Sequence, residues 1–435
     1  MERVELHGAC AIVDGTGPER GAIRDWSELG LRRHRALVVE VPPAIGADGP
    51  HGPWPRILWM GEASDPSKPR ADRSVDLGGR LLTAGLVDAH THAVFAGDRS
   101  HELMRRLAGD TYQHIAAAGG GILHTVAATR AAGVEQLRQD LDRRLDEMAG
   151  WGTRIVEIKT GYGLDLQSEL RCLDAIAAAA AGRAGRMQLV ATAMPAHALP
   201  LEYKGDGDGY VHAVCDQILP ALAAHPAAPR FVDVFVEAGY FDVAQAERIW
   251  QAAQDLGIAR GAWLGLKAHV DEFERVGGLP WAIAAGATSV EHLLVSDAAD
   301  LAALCQSETV AVALPLVSVY LGQPYAAMRA IVDGGGLLAV ATDCNPGSSM
   351  SSNLMLAAQM AVFGGKLTPA EAFRAITRGG AKALGIPDGV DGTLRVGGPF
   401  CASAFEVAGP DALFYELGAP PRAWRGLDAA LQGLA

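Results

Sequence analysis

Short apolar runs alternate with helical patterns through most of the 435-residue chain. Each run is rich in apolar or β-branched side chains, as strands buried within a parallel sheet are. The runs cover residues 82–88, 154–159, 188–194, 231–237, 263–269, 288–292, 310–315 and 338–343. The helical patterns that follow them cover residues 134–149, 165–181, 210–224, 243–256, 278–285, 298–305, 325–333 and 354–363. This alternation predicts an α/β fold, a (β/α)8 TIM-like barrel.

The two ends of the chain have a different texture. Short β-like runs at 9–13, 36–41 and 56–60 are separated by stretches rich in Gly, Pro and Asp. After a further helical pattern at 368–384 with a capped start at Thr368, β-like runs return at 392–396 and 402–407. We expect residues 1–83 and 391–435 to form one small discontinuous β-sandwich domain, with the barrel over 84–390. The stretch 42–55 is interpreted as a surface insertion.

Charge and cysteine usage narrow the possible partners. A net charge of −13 leaves no basic stripe for nucleic acid, and no apolar run is long enough to span a membrane. Six scattered cysteines without a CxxC pair, together with a start that lacks a signal-peptide-like apolar stretch, favour the reducing cytoplasm. A small-molecule substrate remains the expected partner.

Polar side chains gather where the predicted strands end, which is the catalytic face of such a barrel. His90 and His92 follow the first strand, and alternate residues of a strand share one face. His269 ends the fifth strand and Asp343 ends the eighth. Three imidazoles and a carboxylate suit a divalent ion, zinc first and ferrous iron second. These four residues are the predicted metal ligands.

Two of the polar side chains can also take part in catalysis. Asp343 could hold a water molecule and take its proton, while His292, at the end of the sixth strand, could polarise a carbonyl or shuttle a proton. Further polar residues at the strand ends are Tyr162, His197 and Glu237.

Several longer segments have a more specific pattern. They are GLVDAHTH at 85–92, FAGDRSHELMRRLAG at 95–109, AAAGGGIL at 116–123, EIKTGYGLD at 157–165, AHALPLEYK at 196–204 and TDCNPGSS at 342–349. With these segments the chain resembles the amidohydrolase superfamily and, within it, the imidazolonepropionase family of histidine degradation. The resemblance covers nearly the whole chain from about residue 56.

The resemblance implies a hydrolase that opens the cyclic amide of 4-imidazolone-5-propanoate to N-formimidoyl-L-glutamate. It implies one divalent metal, zinc or iron, and a homodimer. Arg99 would grip the propionate carboxylate, a task that suits a bidentate guanidinium. The other residues with implied roles are the metal ligands His90, His92, His269 and Asp343, the substrate contacts Tyr162 and His197, the groups Glu272 and His292 that would act on the ring nitrogens and the carbonyl oxygen, and the binding loop Asn345, Gly347 and Ser348.

Charged residues elsewhere on the strands bear on the number of metal ions. In two-metal relatives a bridging lysine usually ends the fourth strand, and this chain carries Glu237 there. We therefore expect one ion, with Lys159 and Lys267 used in structural ion pairs. Position 272 is often glutamine in relatives and is glutamate here.

Two alternatives stay open from the sequence. One is another hydrolase of the superfamily, such as a heterocycle deaminase, although a neutral nucleobase needs no carboxylate grip from Arg99. The other is a barrel without catalysis that serves binding or assembly. Such proteins usually lose metal ligands, whereas all four are present here.

Overall fold

The computed structural model describes residues 1–43, 54–110, 120–260, 265–386 and 390–433. Its strands are, in chain order, β1 Glu2–His7, β2 Ala11–Val13, β3 Leu31–Arg32, β4 Arg35–Val41, β5 Arg56–Glu62, β6 Arg73–Asp76, β7 Leu81–Ala84, β8 Leu86–Asp88, β9 Thr153–Lys159, β10 Gln188–Ala196, β11 Phe231–Val236, β12 Gly265–Val270, β13 Ser289–His292, β14 Val310–Ala313, β15 Leu338–Val340 and β16 Ala402–Phe405. Strands β8 to β15 form one eight-stranded sheet in chain order, and its strand pairs are parallel.

Helices connect successive strands of this sheet and cover its outside. The α-helices are Leu103–Leu107, Ile122–Ala131, Val134–Gly150, Leu166–Ala181, Gly207–Ala213, Leu219–Ala224, Val243–Arg260, Gly278–Ala284, Ala298–Cys305, Pro315–Leu321, Met328–Asp333, Leu354–Phe363, Pro369–Arg374, Gly380–Ala383, Ala412–Tyr415 and Gly426–Leu431. Short 3₁₀ turns lie at Trp26–Leu29, Ser100–Glu102 and Leu201–Tyr203. In the described part of the chain, no helix is both long and apolar enough to cross a membrane.

The sheet is nearly closed into a barrel by contacts just beyond the ends of β8 and β15. The Asp343 amide donates to the His90 carbonyl at 3.0 Å, and the His92 amide donates to the Cys344 carbonyl at 3.1 Å. The buried Asp88 carboxylate accepts hydrogen bonds from the Thr342 amide and hydroxyl, at 3.0 and 2.7 Å. The predicted (β/α)8 barrel is confirmed. Its closure also sets predicted ligands from the first and last strands beside each other.

Local sequence explains where several helices begin. Asp165, Asp297 and Asn353 each accept a backbone N–H of the first turn with their side chains. Thr368 begins Pro369–Arg374 with a reciprocal capping box to Glu371, as the sequence predicted. The helical segments predicted at 210–224 and 368–384 are each interrupted by one π-helical turn, Val214–Ile218 and Ala375–Gly379.

Several predicted strands need correction, among them the eighth, which ends at Val340 and not at residue 343. The first, at 82–88, is two strands, because the chain crosses at Gly85 from β7 in a terminal sheet to β8 in the barrel. The seventh stops at Ala313, since Pro315 begins a helix and has no N–H for a strand ladder. The run at 392–396 is not a strand, although the Leu394 amide still donates to the Asp14 carbonyl at 2.7 Å.

Two four-stranded sheets stand beside the barrel, in the orders β5-β4-β1-β6 and β16-β7-β2-β3. The C-terminal β16 pairs with the N-terminal β7, so both ends of the chain share one sheet. Apolar side chains from both sheets form a common core, among them Val4, Leu37, Leu82 and Ala404.

The predicted small β-sandwich is thereby confirmed as part of the fold class. The boundaries 1–83, 84–390 and 391–435 stay a prediction. Three predicted features lie partly outside the described residues: most of the insertion at 42–55, the first part of the AAAGGGIL segment, and the start of the strand at 263–269.

Candidate active site

The four predicted metal ligands meet at the carboxyl ends of the barrel strands. Nε2 of His92 lies 3.2 Å from Nε2 of His269. Oδ1 of Asp343 lies 3.3 Å from Nε2 of His90 and 3.5 Å from Nε2 of His92. All four side chains are buried. The structure therefore brings His90, His92 and His269 close enough together to hold one ion, and it groups Asp343 with His90 and His292 in a second set of possible ligands.

The state of these donors fits a metal ion. Both ring nitrogens of His90 and Oδ1 of Asp343 are buried and have no hydrogen-bond partner among the described residues. Burial, aided by neighbouring positive charge, lowers the pKa of His90, His92 and His269 well below the usual histidine value. Neutral imidazoles are the form that binds metal, and unpartnered buried polar atoms are costly without a ligand.

A network of buried charges lies directly beneath the ligands, inside the barrel. Lys159 Nζ contacts Asp233 at 2.7 Å and Glu157 at 2.8 Å, and Lys267 Nζ contacts Glu157 at 2.9 Å and Glu291 at 3.6 Å. Burial opposes the charge of Lys159, but the surrounding carboxylates outweigh it and raise the pKa of that ammonium group. The ion pairs expected for Lys159 and Lys267 are confirmed.

This network also holds His269, one of the predicted ligands, and reaches His90. Nδ1 of His269 donates to Oδ1 of Asp233 at 2.9 Å, which leaves Nε2 as the atom available to an ion. Glu291 Oε2 lies 3.4 Å from Nδ1 of His90. Carboxylates in this position fix the tautomer and orientation of a ligating imidazole.

A cavity opens above the ligands. The residues that line it are His92, Arg99, Ile122, Tyr162, His197, Phe235, Tyr240, His269, Glu272, Phe273, His292, Asp343, Asn345 and Ser348. Most of the predicted site residues are among them. Two are not: His90 lies deeper, beside Asp343, and Gly347 lies against Arg99, where an added Cβ would be 2.2 Å from Nη1.

Arg99 forms a buried ion pair with a residue that the sequence reasoning missed. Its Nε lies 3.0 Å from both carboxylate oxygens of Glu102, and its Nη2 lies 2.8 Å from Oε2. Arg99 and Glu102 are 4% and 1% exposed, so the pair is buried; Arg99 lines the cavity and Glu102 does not. The sequence signal was the spacing of three residues within one short turn.

Glu272 and His292 face each other across the cavity. Oε2 of Glu272 lies 3.6 Å from Nε2 of His292. Burial, with the nearby Asp343 and Glu237 carboxylates, raises the pKa of Glu272 well above its usual value, and burial lowers the pKa of His292 to about 3. The pair therefore combines a carboxyl group that retains its proton with a neutral imidazole, an arrangement suited to proton transfer.

Glu237 has a structural task here. Its carboxylate accepts the backbone amides of Glu272, Phe273 and Glu274 at 3.2, 2.9 and 3.0 Å. It thereby fixes the segment that carries Glu272. His197 is fixed in a similar way, because its Nδ1 lies 3.0 Å from the Gly161 carbonyl, and burial lowers its pKa to about 4.

The backbone is strained where the strands end. Asp271, His292 and Asp343 have φ values of 54°, 75° and 51°, in the left-handed region that non-glycine residues rarely adopt. Such a conformation costs about 1–3 kcal/mol per residue and persists only where the surroundings impose it. Here closure of the barrel imposes it on Asp343, whose amide donates to the His90 carbonyl.

The loop after β15 is folded by its own side chain. Oδ1 of Asn345 accepts the amides of Gly347 and Ser348 at 2.7 and 2.8 Å, and its Nδ2 donates to the Asp343 carbonyl at 2.8 Å. The predicted binding loop is thus preformed beside the cavity.

Comparison with known proteins identifies the family. No sequence model of a protein family matches the chain. The chain is 42% identical over 432 residues to imidazolonepropionase from Chloroflexus aggregans, which covers 96% of this chain and 95% of that protein. It is 43% identical over 348 residues to imidazolonepropionase from Herpetosiphon aurantiacus, covering 78% and 79%. The chain belongs to the imidazolonepropionase family. It is therefore a hydrolase, and the resemblance inferred from its motifs is confirmed.

Solved structures share the fold at low identity. A zinc-bound adenosine deaminase from Xanthomonas campestris aligns with a TM-score of 0.65 at 18% identity, over 97% of this chain and 91% of that one. E. coli guanine deaminase aligns with a TM-score of 0.65 at 16% identity, over 93% and 89%. At this identity the likeness concerns the fold alone. Membership of the imidazolonepropionase family, not this likeness, is why the deaminase alternative is not favoured.

The sequence reasoning missed the carboxylates beneath the ligands. Glu157 lies two residues before Lys159 on β9, Glu291 lies two residues after Ser289 on β13, and Asp233 is the one charged residue of β11. Charges that recur with a period of two inside apolar strands were the available signal for a polar barrel interior.

We expect Asp233→Asn to weaken metal binding. An amide in this place would turn its NH₂ group toward either Lys159 or His269, so one of the two donors would lose its acceptor. Loss of such a supporting partner raises the metal dissociation constant by about 10–100-fold. Chelator competition with zinc measures this constant directly.

The matched control is Asp174→Asn, which alters an exposed pair in which Nε2 of His225 lies 2.9 Å from the carboxylate. Its zinc affinity should equal that of the unmodified protein. Equal affinities in Asp233→Asn and in the unmodified protein would remove Asp233 from the metal site.

Proposed function

We propose that this chain hydrolyses the cyclic amide of 4-imidazolone-5-propanoate to N-formimidoyl-L-glutamate. The name that its relatives carry supports this substrate. The observation that carries the proposal is the cavity itself, in which an arginine, a histidine–glutamate pair and three of the four predicted metal ligands face one space.

We propose that His90, His92, His269 and Asp343 hold one divalent ion, zinc or iron. Support comes from their donor chemistry, their burial and the short distances between them. A divalent ion bound there would act as a Lewis acid on the amide carbonyl and would lower the pKa of a water molecule to about 7. Lys159 occupies the space among the deeper carboxylates with its own positive charge, which favours a single ion.

The chain's own residues would divide the remaining work. Asp343 would hold the attacking water molecule by a hydrogen bond and accept its proton. His292 would polarise the carbonyl oxygen, and Glu272, which lies 3.6 Å from it, would give a proton to the ring nitrogen as the C–N bond breaks. Tyr162 and His197 would pack against the ring from the opposite wall.

Arg99 and the loop Asn345, Gly347 and Ser348 would bind the propionate tail. The Nη1 side of Arg99 lies against Gly347, so the guanidinium and the loop form one corner of the cavity. A guanidinium pairs with a carboxylate through parallel hydrogen bonds, which gives specificity as well as affinity.

The deciding experiment mixes purified protein of known metal content with freshly prepared 4-imidazolone-5-propanoate. We expect rapid loss of the ring's ultraviolet absorbance, which a chelator abolishes and added zinc or iron restores. Absence of this loss from protein that carries one metal ion per chain would assign the site to a different cyclic amide.

Arg99→Ala should weaken binding of the substrate by about 2–5 kcal/mol, the range for truncation of one partner of a buried charge pair. The loss should appear in KM, and the metal content should be unchanged because Arg99 is not one of the four predicted ligands. Loss of metal together with activity would give Arg99 a structural role instead.

We also propose that the protein is a cytoplasmic homodimer. All six cysteines are free thiols, which supports a reducing compartment. Met104 and Leu107 are 71% and 73% exposed, and Val319 and Tyr320 are exposed on the helix Pro315–Leu321. The two helices are in contact, because the Arg106 guanidinium lies 5.2 Å from the Tyr320 ring. These exposed apolar side chains support an interface with a second copy of the chain. A monomer mass by light scattering at assay concentration would contradict the dimer.

A further inference from the structure

Glu102 joins three parts of the cavity wall through one buried carboxylate. Arg99 donates to both of its oxygens, at 2.8 to 3.0 Å. Arg106 Nη2 donates to Oε2 at 2.9 Å, and the amide of Gly121 donates to Oε1 at 2.8 Å. The next residue, Ile122, lines the cavity and begins a helix. Glu102 itself is 1% exposed and is not part of the cavity lining.

The charges at this wall do not cancel. Burial works against ionisation of Glu102, but hydrogen bonds from Arg99 and the Gly121 amide outweigh it and lower its pKa to about 2. The carboxylate is therefore charged at neutral pH, and it faces two guanidinium groups, Arg99 and Arg106. This cluster of three side chains has one net positive charge.

An arginine side chain needs support to recognise a carboxylate. Its long stem has many rotamers, and that conformational freedom is lost when the guanidinium binds a carboxylate. The paired hydrogen bonds from Arg99 to Glu102 remove that freedom before the substrate binds, and they fix the plane of the guanidinium. They use Nε and Nη2, while Nη1 lies against Gly347 on the binding loop.

We propose that Glu102 is the positioning residue for Arg99, and that the cluster Arg99–Glu102–Arg106 makes the cavity specific for a substrate tail with a single negative charge. This inference rests on the proposed function, in which Arg99 binds the substrate carboxylate. Glu102 acts through Arg99 and does not touch the substrate. Its partner Arg106 supplies the charge that Glu102 would otherwise remove.

The test compares two substrates with the same ring, the propanoate and its uncharged propanamide. In the unmodified protein the carboxylate substrate should have the larger kcat/KM. Glu102→Gln retains the size of the side chain but loses its charge and part of the paired hydrogen bonds to Arg99. We expect KM for the propanoate to rise about tenfold or more, because displacement of a positioning group by about 1 Å can cost that much. The constants for the propanamide and kcat for both substrates should change little.

The matched control is Glu371→Gln. Glu371 is also 1% exposed, pairs with an arginine, Arg329, at 2.7 Å and accepts the amides of Ile23 and Thr368, but it lies outside the cavity lining. It should lose a similar amount of thermal stability and retain the full preference for the carboxylate. If KM for the propanoate depended only on the stability of the protein, it would change equally in Glu102→Gln and Glu371→Gln.

Arg99→Ala separates this inference from the proposed function. If Arg99→Ala removes the preference and Glu102→Gln leaves it intact, Glu102 is not a positioning residue and the inference fails, while the proposed carboxylate site stands. If Arg99→Ala leaves the preference intact, the proposed carboxylate site itself fails. Should Glu102→Gln not fold, Glu102→Asp decides, since it retains the charge but shortens the side chain. We expect it to lose part of the preference, and an unchanged preference would overturn the inference.

Discussion

The ion pair between Lys159 and Asp233 is the interaction on which barrel and active site both depend. Its two partners come from different strands, are fully buried and lie 2.7 Å apart. Removal of one partner of such a pair costs about 3–5 kcal/mol, because the other charge is left without compensation. Asp233 also accepts the Nδ1–H of His269. The same carboxylate therefore stabilises the interior of the barrel and orients His269, one of the predicted ligands, so neither task can be altered alone.

At the rim of the cavity, buried acceptors likewise fix the groups around them. In each wall a buried carboxylate or amide gathers backbone N–H groups and so fixes a loop: Glu237 for the segment that carries Glu272, Asn345 for the loop after β15, and Glu102 for Arg99 and Gly121. Hydrogen bonds to buried acceptors of this kind are costly to leave unmade. The positions of the polar groups are thus set before a substrate arrives, which is the condition for catalysis by preorganisation.

The barrel, and the clustering of the four predicted ligands at one end of it, could be expected from the sequence because both leave a regular pattern. Apolar runs mark the strands, and polar residues follow the runs at the catalytic face. What the sequence concealed depends on contacts between distant segments. The step at Gly85 from one sheet to another occurs within a continuous apolar run, since both strands are buried on all sides. The pairing of Arg99 with Glu102 was equally hidden, because a spacing of three residues within a turn does not distinguish a buried pair from an exposed one.

The structural neighbours share the fold of this chain at low sequence identity. Deaminases of purine compounds and triazine hydrolases share this barrel at TM-scores of 0.64 to 0.65 with 15 to 18% identity. One fold supports many reactions, so the fold alone cannot select a substrate. A ring with a charged tail differs from an uncharged heterocycle mainly in the need for a fixed countercharge. If Arg99 binds the carboxylate as proposed, the countercharge comes from the loop between β8 and β9, where Glu102 holds the guanidinium. Changes to the charges of Arg99, Glu102 and Arg106 would then alter the choice of substrate. The predicted ligands at the strand ends and the ion pairs beneath them would stay unchanged.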